Sequence, residues 1–293
     1  MTGPPPTPPA RGRGARLGEP KASLVAAGWA DAQPPPRDFH RRWPTLKPPL
    51  RPHESVARQV ADLLAGCGDP LLLLGVTPEF AAIDRPIVAM DWNAEMIALA
   101  WPGDTPTKHA MLADWKAMPL ADASVGGAMG DGVLSMLGWP HEQPVLLAEL
   151  WRVLRSGGRV ALRCFATPDH HPSAEAVLAE AMNGNPTFHA FKQRFNMAVA
   201  REHEGITVAS ARLHQRFVEL VPDRGVLSAA TGWTLDEIAE IDAYRGSGYV
   251  HCYPSRAELT AMAQRYWPAP TRFVETAGYP LADHCPLLLL ERP

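Results

Sequence analysis

LLLLGVTPE, Leu71–Glu79, and the following IVAMD, which ends at Asp91, carry the strongest structural signal in the chain. An apolar run enters a turn at Gly75, and a second apolar run ends on a lone carboxylate. Strands of this kind are typical of a doubly wound α/β sheet, which holds a nucleoside between a backbone turn and an acidic side chain that binds the ribose hydroxyls. The turn is not the full dinucleotide fingerprint, because Thr77 and Glu79 replace further glycines.

Alternating strand and helix patterns extend this sheet along the chain. The sequence predicts strands at about 70–75, 86–91, 108–114, 124–130 and 159–165, and helices over 53–65, 93–100 and 142–154. Strands and helices that alternate at this spacing predict a parallel sheet with helices on both faces. The closing segments TRFVETAG and CPLLLLER predict a hairpin that completes the sheet.

Composition divides the chain into parts. Residues 1–50 are rich in proline and arginine and lack periodicity, which predicts a disordered tail. A transit peptide is the competing interpretation, since no acidic residue precedes Glu19, but the prolines would break its amphipathic helix. Residues 51–293 are predicted to form one domain. Within it, 166–270 are mostly helical in pattern and exceed what one crossover needs, so we expect a helical cap over the carboxyl edge of the sheet.

The whole-chain composition restricts the class of protein. Of the 293 residues, 46% are hydrophobic and 20% are charged, which is ordinary for a globular protein with a sizeable core. The net charge of -3 argues against nucleic acid as a partner, and no apolar run approaches the roughly 20 residues that span a membrane. Four separated cysteines favour free thiols in a cytoplasmic protein, and neither they nor the adjacent His170 and His171 predict a metal site.

From about His53 to Arg292 the chain resembles the class I S-adenosylmethionine-dependent methyltransferases. Besides the two strand ends above, the resemblance rests on ADWKAMPLADASVGGAMGDGVLSML and ELWRVLRSGGRVALRCF, which lead into the fourth and fifth strands. Gly126 departs from the family, which has an acidic residue at this position near the start of the fourth strand. The resemblance implies a seven-stranded, mostly parallel sheet of order 3-2-1-4-5-7-6 and S-adenosyl-L-methionine as the cofactor.

The resemblance also implies which residues contact this cofactor. Asp91 is expected to bind both ribose hydroxyls, Asp114 to bind the adenine amino group, and Met96 and Trp115 to contact the ring. Each role has a structural alternative: an ordinary strand-end carboxylate for Asp91, the cap of the following turn for Asp114, core residues for Met96 and Trp115, and a turn residue for Asp131. The full set of implied contacts is Gly75, Val76, Thr77, Asp91, Trp92, Met96, Asp114, Trp115, Gly130 and Asp131, of which the last two face the methionine moiety.

The anchor for the amino-acid end of the cofactor departs from the family. The family has an acidic residue two positions before Gly75, where this chain has Leu73. Glu79 is a candidate replacement, with a solvent-facing position or a favourable charge at the helix start as its alternatives. Arg51 is either structural or folds over the cofactor carboxylate.

Two polar–aromatic clusters in the predicted cap are candidates for the acceptor site, FHAFKQRF at 188–195 and IDAYRGSGYVHCYP at 241–254. The first places three polar residues on one helix face, and the second surrounds a glycine-containing turn. A solvated helix face and a hydrogen-bonded turn are the structural alternatives. The candidate bases are His189 and Tyr244, the candidate substrate-binding residues are Lys192, Asp242 and Arg245, and the clusters also contain Gln193, His251 and Tyr253.

These patterns predict a cytoplasmic enzyme, monomer or homodimer, that transfers a methyl group in line to a small-molecule acceptor. The acidic net charge and the enclosing cap favour a small acceptor. The N-P-P-Y-type tetrapeptide that marks methylation of planar amino groups in the resembling family is replaced by GDGV. The alternatives are another reaction of the same cofactor, such as intramolecular cyclisation, and a non-catalytic cofactor-binding module.

Overall fold

The computed structural model describes residues 43–184, 186–202 and 205–293. Positions 1–42 of the predicted tail therefore lie outside the described residues. The last part of that tail, 43–50, belongs to the folded domain. It begins with a short 3-10 helix, Trp43–Thr45, and Trp43 and Leu46 are buried in the hydrophobic cluster that contains the first strand. Apolar side chains in this proline-rich stretch find a place to pack, so the domain begins before position 51.

A seven-stranded sheet forms the centre of the domain. Its strands are β1 Leu71–Leu74, β2 Ile87–Asp91, β3 Lys108–Leu112, β4 Val125–Asp131, β5 Leu154–Arg163, β8 Arg272–Val274 and β9 Leu287–Glu291. Their spatial order is β3-β2-β1-β4-β5-β9-β8, with the first five strands parallel and β9 antiparallel to both of its neighbours. This pattern confirms the predicted doubly wound sheet and its closing hairpin.

The helices cover the sheet and form the cap. Asn93 caps α3 as its sequence position predicts, because its side chain accepts hydrogen bonds from the backbone N–H groups of Glu95 and Met96. The helices are α1 Glu54–Leu63, α2 Pro78–Ala81, α3 Ala94–Ala100, α4 Glu142–Val153, α5 Ala174–Gly184, α6 Phe188–Arg201, α7 Ser210–Leu220, α8 Arg224–Thr231, α9 Leu235–Ala239 and α10 Arg256–Tyr266.

The cap is held together by its own aromatic core. Helix α6 lies in the middle, and the rings of Phe191 and Phe195 contact Phe217 of α7, while Phe188 and Phe191 contact Trp233. A two-stranded antiparallel ribbon of β6, Thr207–Ala209, and β7, Val250–Cys252, completes it. Aromatic pairs of this kind bury large apolar areas, so the cap has a hydrophobic cluster separate from those of the sheet.

The cap ends earlier than the predicted position 270. Helix α10 packs against α4, and its Leu259, Met262 and Ala263 belong to the cluster that covers the sheet. Their i, i+3, i+4 spacing forms one apolar stripe, and that stripe faces the sheet. Trp267 continues the contact edge-on to Trp151, with ring centroids 5.0 Å apart. The helix that begins at Arg256 is therefore a sheet-covering helix and no part of the cap.

Gly126 shows why this chain lacks the acidic residue of the resembling family. A Cβ atom at Gly126 would lie 1.8 Å from the carbonyl oxygen of Gly68. The loop before β1 crosses β4 at this point, and the N–H of Gly126 donates to the carbonyl of Pro70 at 3.0 Å. Backbone atoms cannot move aside as a flexible side chain can, so no side chain fits here.

We expect Gly126→Ala to destabilise the domain, because the added methyl forces β4 and the preceding loop apart. Overpacking of this kind costs about 1–3 kcal/mol. Gly66→Ala is the matched control, since a Cβ at Gly66 meets no atom within 4 Å. Urea unfolding followed by circular dichroism measures both. A Gly126→Ala midpoint equal to that of the control would contradict the close contact.

Candidate functional site

A pocket opens at the carboxyl ends of β1 and β4, where the strand order of the sheet reverses. Ligands of doubly wound sheets bind at this position. The sheet supplies one wall, the cap supplies the opposite wall, and the segment before α1 covers one side. The sheet wall includes Gly75, Val76, Thr77, Asp91, Trp92, Met96, Trp115 and Asp131, the cap wall includes Lys192, Gln193, Glu240, Tyr244, Tyr249, His251 and Tyr253, and the segment contributes Trp43, Leu46 and Leu50.

The turn after β1 and the carboxylate after β2 face each other. Gly75 has φ +90°, a conformation that favours glycine, and its N–H donates to the carbonyl of Met90 at 2.7 Å. A Cβ at Gly75 would lie 3.9 Å from Oδ2 of Asp91, in the space between turn and carboxylate. The missing side chain leaves a cradle in which the backbone can approach a sugar closely.

Asp91 is the buried charge of this cradle. Its side chain lies in the sheet wall, only 7% exposed, and Oδ1 accepts from the N–H of Asn93 at 2.8 Å. Burial raises the pKa of Asp91 to about 6, against the opposing effect of hydrogen bonds from the N–H groups of Asn93 and Trp92. A carboxylate that is poorly solvated binds incoming hydroxyl donors strongly.

The adenine side of the predicted site is apolar. Trp115 is buried, and its indole N–H donates to the carbonyl of Met90 at 2.7 Å, which fixes the ring against the end of β2. Asp114 does not line the pocket. Its Oδ1 accepts from the N–H of Lys116 at 2.8 Å, so the structure shows it in its alternative role as the cap of the following turn.

The end of β4 is occupied by an ion pair. Asp131 lines the pocket, and its carboxylate binds Arg163 of β5, with Nε–Oδ1 at 2.5 Å and Nη2–Oδ2 at 3.1 Å. Burial alone would lower the pKa of Arg163, but Asp131 beside it raises that pKa above its ordinary value. Gly130, also predicted to face the cofactor, lies inside the sheet and does not line the pocket. A Cβ at Gly130 would meet Val133 at 2.6 Å, so packing explains this glycine.

Glu79 and Arg51 bind each other. Their side chains form an ion pair, and the guanidinium of Arg51 also lies 5.8 Å from the ring centroid of Trp43. The sequence makes each of them a candidate partner for one charged group of the cofactor. In the structure the pair ties α2 to the segment before α1, and this contact holds Trp43 at the pocket.

On the cap wall, the basic side chain of Lys192 lies among several aromatic rings. The Nζ of Lys192 lies 4.8 Å from the ring centroid of Tyr244. The amide of Asn196 donates to the hydroxyls of Tyr244 and Tyr253, at 3.4 and 3.1 Å, and so holds both rings. Tyr249, which the sequence did not single out, completes the group.

His251 lies among these rings as a neutral imidazole. Its Nε2 is 3.0 Å from Oγ of Ser210, and its ring centroid is 4.8 Å from that of Tyr249. Burial first, and then the charge of Lys192, lower the pKa of His251 to about 3. The ring therefore adds aromatic surface and hydrogen-bonding capacity to the wall without adding charge at neutral pH.

Three predicted acceptor residues lie away from the pocket. His189 is buried behind the cap wall, where Nε2 is 2.9 Å from Oε2 of Glu240, because α6 is buried nearly all round and has no polar face to present. Asp242 accepts from Arg224 and faces His214, and Arg224 holds the pKa of Asp242 below its usual range. Arg245 is exposed and reaches Asp242 at 3.3 Å. The structural alternative for this segment was a hydrogen-bonded turn, and its charged side chains form a network of ion pairs with Arg224 and His214.

Two further features bear on the class of site. No helix in the described ranges is long and apolar enough to cross a membrane. Across those same residues, no group of three or more histidine, cysteine or acidic side chains is arranged to hold a metal ion.

Comparison with known proteins gives one family. Residues 63–162 match the family described as "Methyltransferase domain". This segment runs from the end of α1 to Leu162 in β5 and so contains the cradle, Asp91 and Asp131, whereas Arg163 lies one position beyond it. No curated protein matches the sequence at a significant level.

Among solved structures, a proposed zinc-dependent alcohol dehydrogenase from Rhodobacter sphaeroides has TM-score 0.52 and 12% identity, covering 87% of this chain and 94% of its own. At this identity the likeness shows the fold alone. A proposed S-adenosylmethionine-dependent methyltransferase from Methanococcus maripaludis has TM-score 0.44 and 11% identity, covering 87% and 90%. The 1,6-didemethyltoxoflavin-N1-methyltransferase of Burkholderia thailandensis has TM-score 0.43 and 14% identity, covering 81% and 77%. The last two scores are too low to support an argument.

We expect Asp91→Asn to stabilise the ligand-free protein at neutral pH. A folded-state pKa of about 6, above the ordinary value of 3.8, means that the native protein binds this proton more tightly than the unfolded chain. Stability is therefore lost as the pH rises from about 4 to 6, and the loss of about 3 kcal/mol persists above that range. The amide carries no such penalty and keeps an oxygen for the N–H of Asn93.

The measurement is urea unfolding of wild type and Asp91→Asn at pH 4 and pH 7.5. The two proteins should differ little at pH 4 and most at pH 7.5. Asp114→Asn is the matched control, with a change within about 0.5 kcal/mol, because Asp114 is only half-buried. A wild type more stable than Asp91→Asn at pH 7.5 would show that the carboxylate is well solvated.

The strand order, the Gly75 cradle facing Asp91 and the family match over β1 to β5 agree with one another. A nucleoside-bearing cofactor fits the first two features, and the third identifies a methyltransferase domain. Residues 63–162 therefore match the methyltransferase-domain family, and the sheet around them has the strand order of the class I S-adenosylmethionine-dependent methyltransferases.

Proposed function

We propose that this methyltransferase acts on a small-molecule acceptor held between the sheet and the cap, in a cytoplasmic enzyme that works as a monomer or homodimer. The main support is that one pocket connects the cofactor cradle with the cap wall. Gly75 and Asp91 line it on the sheet side, and Lys192, Tyr244 and His251 line it on the cap side. A donor in the cradle and an acceptor against the cap would then share one enclosed space. A nucleic acid or a folded protein would have to displace the cap to reach it, which favours a small acceptor.

We propose that the sheet wall binds the cofactor. Asp91 accepts hydrogen bonds from the ribose hydroxyls, the turn at Gly75, Val76 and Thr77 passes under the sugar and methionine, and Asp131 lies beside the methionine moiety. Trp92, Met96 and Trp115 surround the adenine. When bound, S-adenosylmethionine supplies an electrophilic methyl group on a sulfonium.

The cap residues contribute to catalysis by positioning the acceptor more than by transferring protons. His251 is a weak base, because burial keeps its pKa near 3, and His189 is behind the wall. Tyr244 lines the pocket and remains the candidate base, with its hydroxyl held by Asn196 at 3.4 Å. Alignment of donor and acceptor and exclusion of water by Trp43 and the cap are then the main catalytic contributions.

The test of this function is product analysis with labelled S-adenosylmethionine and a panel of small acids, phenols and amines. Formation of S-adenosylhomocysteine together with a methylated acceptor supports the proposal. Methylthioadenosine formed without any acceptor supports cyclisation or a related reaction of the cofactor. Tight S-adenosylhomocysteine binding without turnover of any acceptor supports the non-catalytic module.

We expect Asp91→Asn to weaken S-adenosylhomocysteine binding by roughly ten- to hundredfold in isothermal titration, since hydrogen bonds to a charged acceptor contribute about 1.5–3 kcal/mol. Asp114→Asn is the matched variant and should change the affinity less than about threefold, because Asp114 does not line the pocket and its oxygen is engaged by Lys116. Equal losses in the two variants would return Asp114 to the adenine site. No loss in Asp91→Asn would remove the ribose role.

A further inference from the structure

Lys192 differs from the other charged groups of the pocket. It is 6% exposed, and it is the one lysine or arginine among the described residues that line the pocket. Its charge lies over the ring of Tyr244, and no carboxylate of the described chain forms an ion pair with it. Removing an ammonium group from water is costly unless an anion or several hydrogen-bond acceptors replace the water.

The next residue, Gln193, also has a side-chain donor without a partner. Gln193 is 2% exposed and lines the same pocket, and its Nε2 is a buried donor without a hydrogen-bond partner. Buried amide donors are almost always paired in native proteins, because an unpaired donor costs about 1–3 kcal/mol. Lys192 also lines the pocket, and its ammonium makes no hydrogen bond within the described chain, so the cap wall contains two donors without a protein acceptor.

The acidic groups of the pocket do not meet this requirement. Asp131 is neutralised by Arg163, Glu240 faces Nε2 of His189, and Asp91 lies in the cofactor cradle with Asn93. His251, packed against the same rings, is a neutral imidazole at physiological pH. The charge on Lys192 would also repel a cationic ligand. An anion that enters the pocket would supply the partner that the described chain does not.

The surfaces beside these donors are aromatic. The rings of Tyr244 and Tyr253 pack on His251 with centroids 5.6 and 6.1 Å away, and that of Tyr249 stands edge-on at 4.8 Å. Aromatic walls of this kind favour a planar, apolar body by stacking and edge contacts. The pocket thus combines an apolar surface for a ring with two donors for a negative group.

We propose that the acceptor is a planar organic anion, such as an aromatic carboxylate or a phenolate, whose negative oxygen is bound by Lys192 and Gln193. This inference rests on the proposed function and adds the chemical class of the acceptor to it. Lys192 supplies the charge, Gln193 supplies a directed hydrogen bond, and the three tyrosines hold the ring. A neutral amide of the same shape offers a carbonyl oxygen to both donors but no negative charge to Lys192, and a cationic analogue offers neither.

The test uses three probes of nearly equal size: benzoate, benzamide and benzylamine. Each is titrated into the complex of the full chain with S-adenosylhomocysteine, with heat release and thermal shift as the measurements. Benzoate should bind roughly ten- to hundredfold more tightly than benzamide, which corresponds to a charged hydrogen bond, and benzylamine should bind least. Lys192→Met should remove the preference of benzoate over benzamide while S-adenosylhomocysteine still binds.

Two further variants make the result specific. Gln193→Glu places a carboxylate where the anion is expected and should abolish benzoate binding. Lys47→Met is the matched control, because Lys47 is an exposed lysine that does not line the pocket, and it should leave the preference unchanged. Affinity for S-adenosylhomocysteine shows in each variant that the domain is folded. A variant that does not fold leaves the wild-type comparison of the three probes as the deciding result.

The outcomes separate this inference from the proposed function. If S-adenosylhomocysteine binds but benzoate and benzamide bind equally, or neither binds, the anionic acceptor is wrong while the methyltransferase assignment is unaffected. A preference for benzylamine has the same meaning. If benzoate binds with the expected preference but no acceptor is methylated, the pocket takes an anion and the proposed function is wrong.

Discussion

The structure depends on one buried charge, the carboxylate of Asp91 at the end of β2. It lies opposite the Gly75 turn, and burial raises its pKa to about 6. The fold can hold such a group because β2 lies between β1 and β3 and is fixed by hydrogen bonds on both sides. This regular pairing stabilises β2, so the strand can hold a buried carboxylate at its end even though burial of that charge is unfavourable. A carboxylate that is costly without a ligand and is held by a rigid sheet suits the ribose-binding role that we propose for Asp91.

The sheet could be predicted from sequence because its signals are local. Four leucines before Gly75 and a carboxylate at the end of IVAMD fix β1 and β2, and family phrases fix β4 and β5. The cap wall was less predictable. Side chains of α6 were expected to divide into a polar and an apolar face, but neighbours surround the helix, so His189 and Lys192 point to different partners. Periodicity cannot show which partners a buried helix will meet.

The same limit explains why Asp242 and Arg245, predicted to bind the substrate, lie away from the pocket. The sequence identified a turn rich in charged and aromatic residues, but two chemistries are mixed there. The charged members bind one another and Arg224 at the surface, whereas the aromatic members after the turn, including His251 and Tyr253, line the pocket. Long-range pairs such as Asp242–Arg224 leave no sequence signal. Trp43 and Leu46 did leave one, as apolar residues in a proline-rich segment, and packing on the sheet explains them.

Departures from the family have structural compensation within this chain. Leu73 is buried in the sheet at the position where the resembling family has an acidic residue, and at the neighbouring strand end Asp131 is neutralised by Arg163. Glu79 and Arg51 likewise neutralise each other. The charges of the sheet wall are therefore mostly internal, and Lys192 on the cap wall stands apart from them. An enzyme whose nearby histidine is neutral and whose acids are paired gains most by using its remaining cation to bind an anion, because a positioned anionic acceptor needs no strong base. An anionic acceptor would then explain both the low basicity of His251 and the cation at Lys192, which has no ion-pair partner in the described chain.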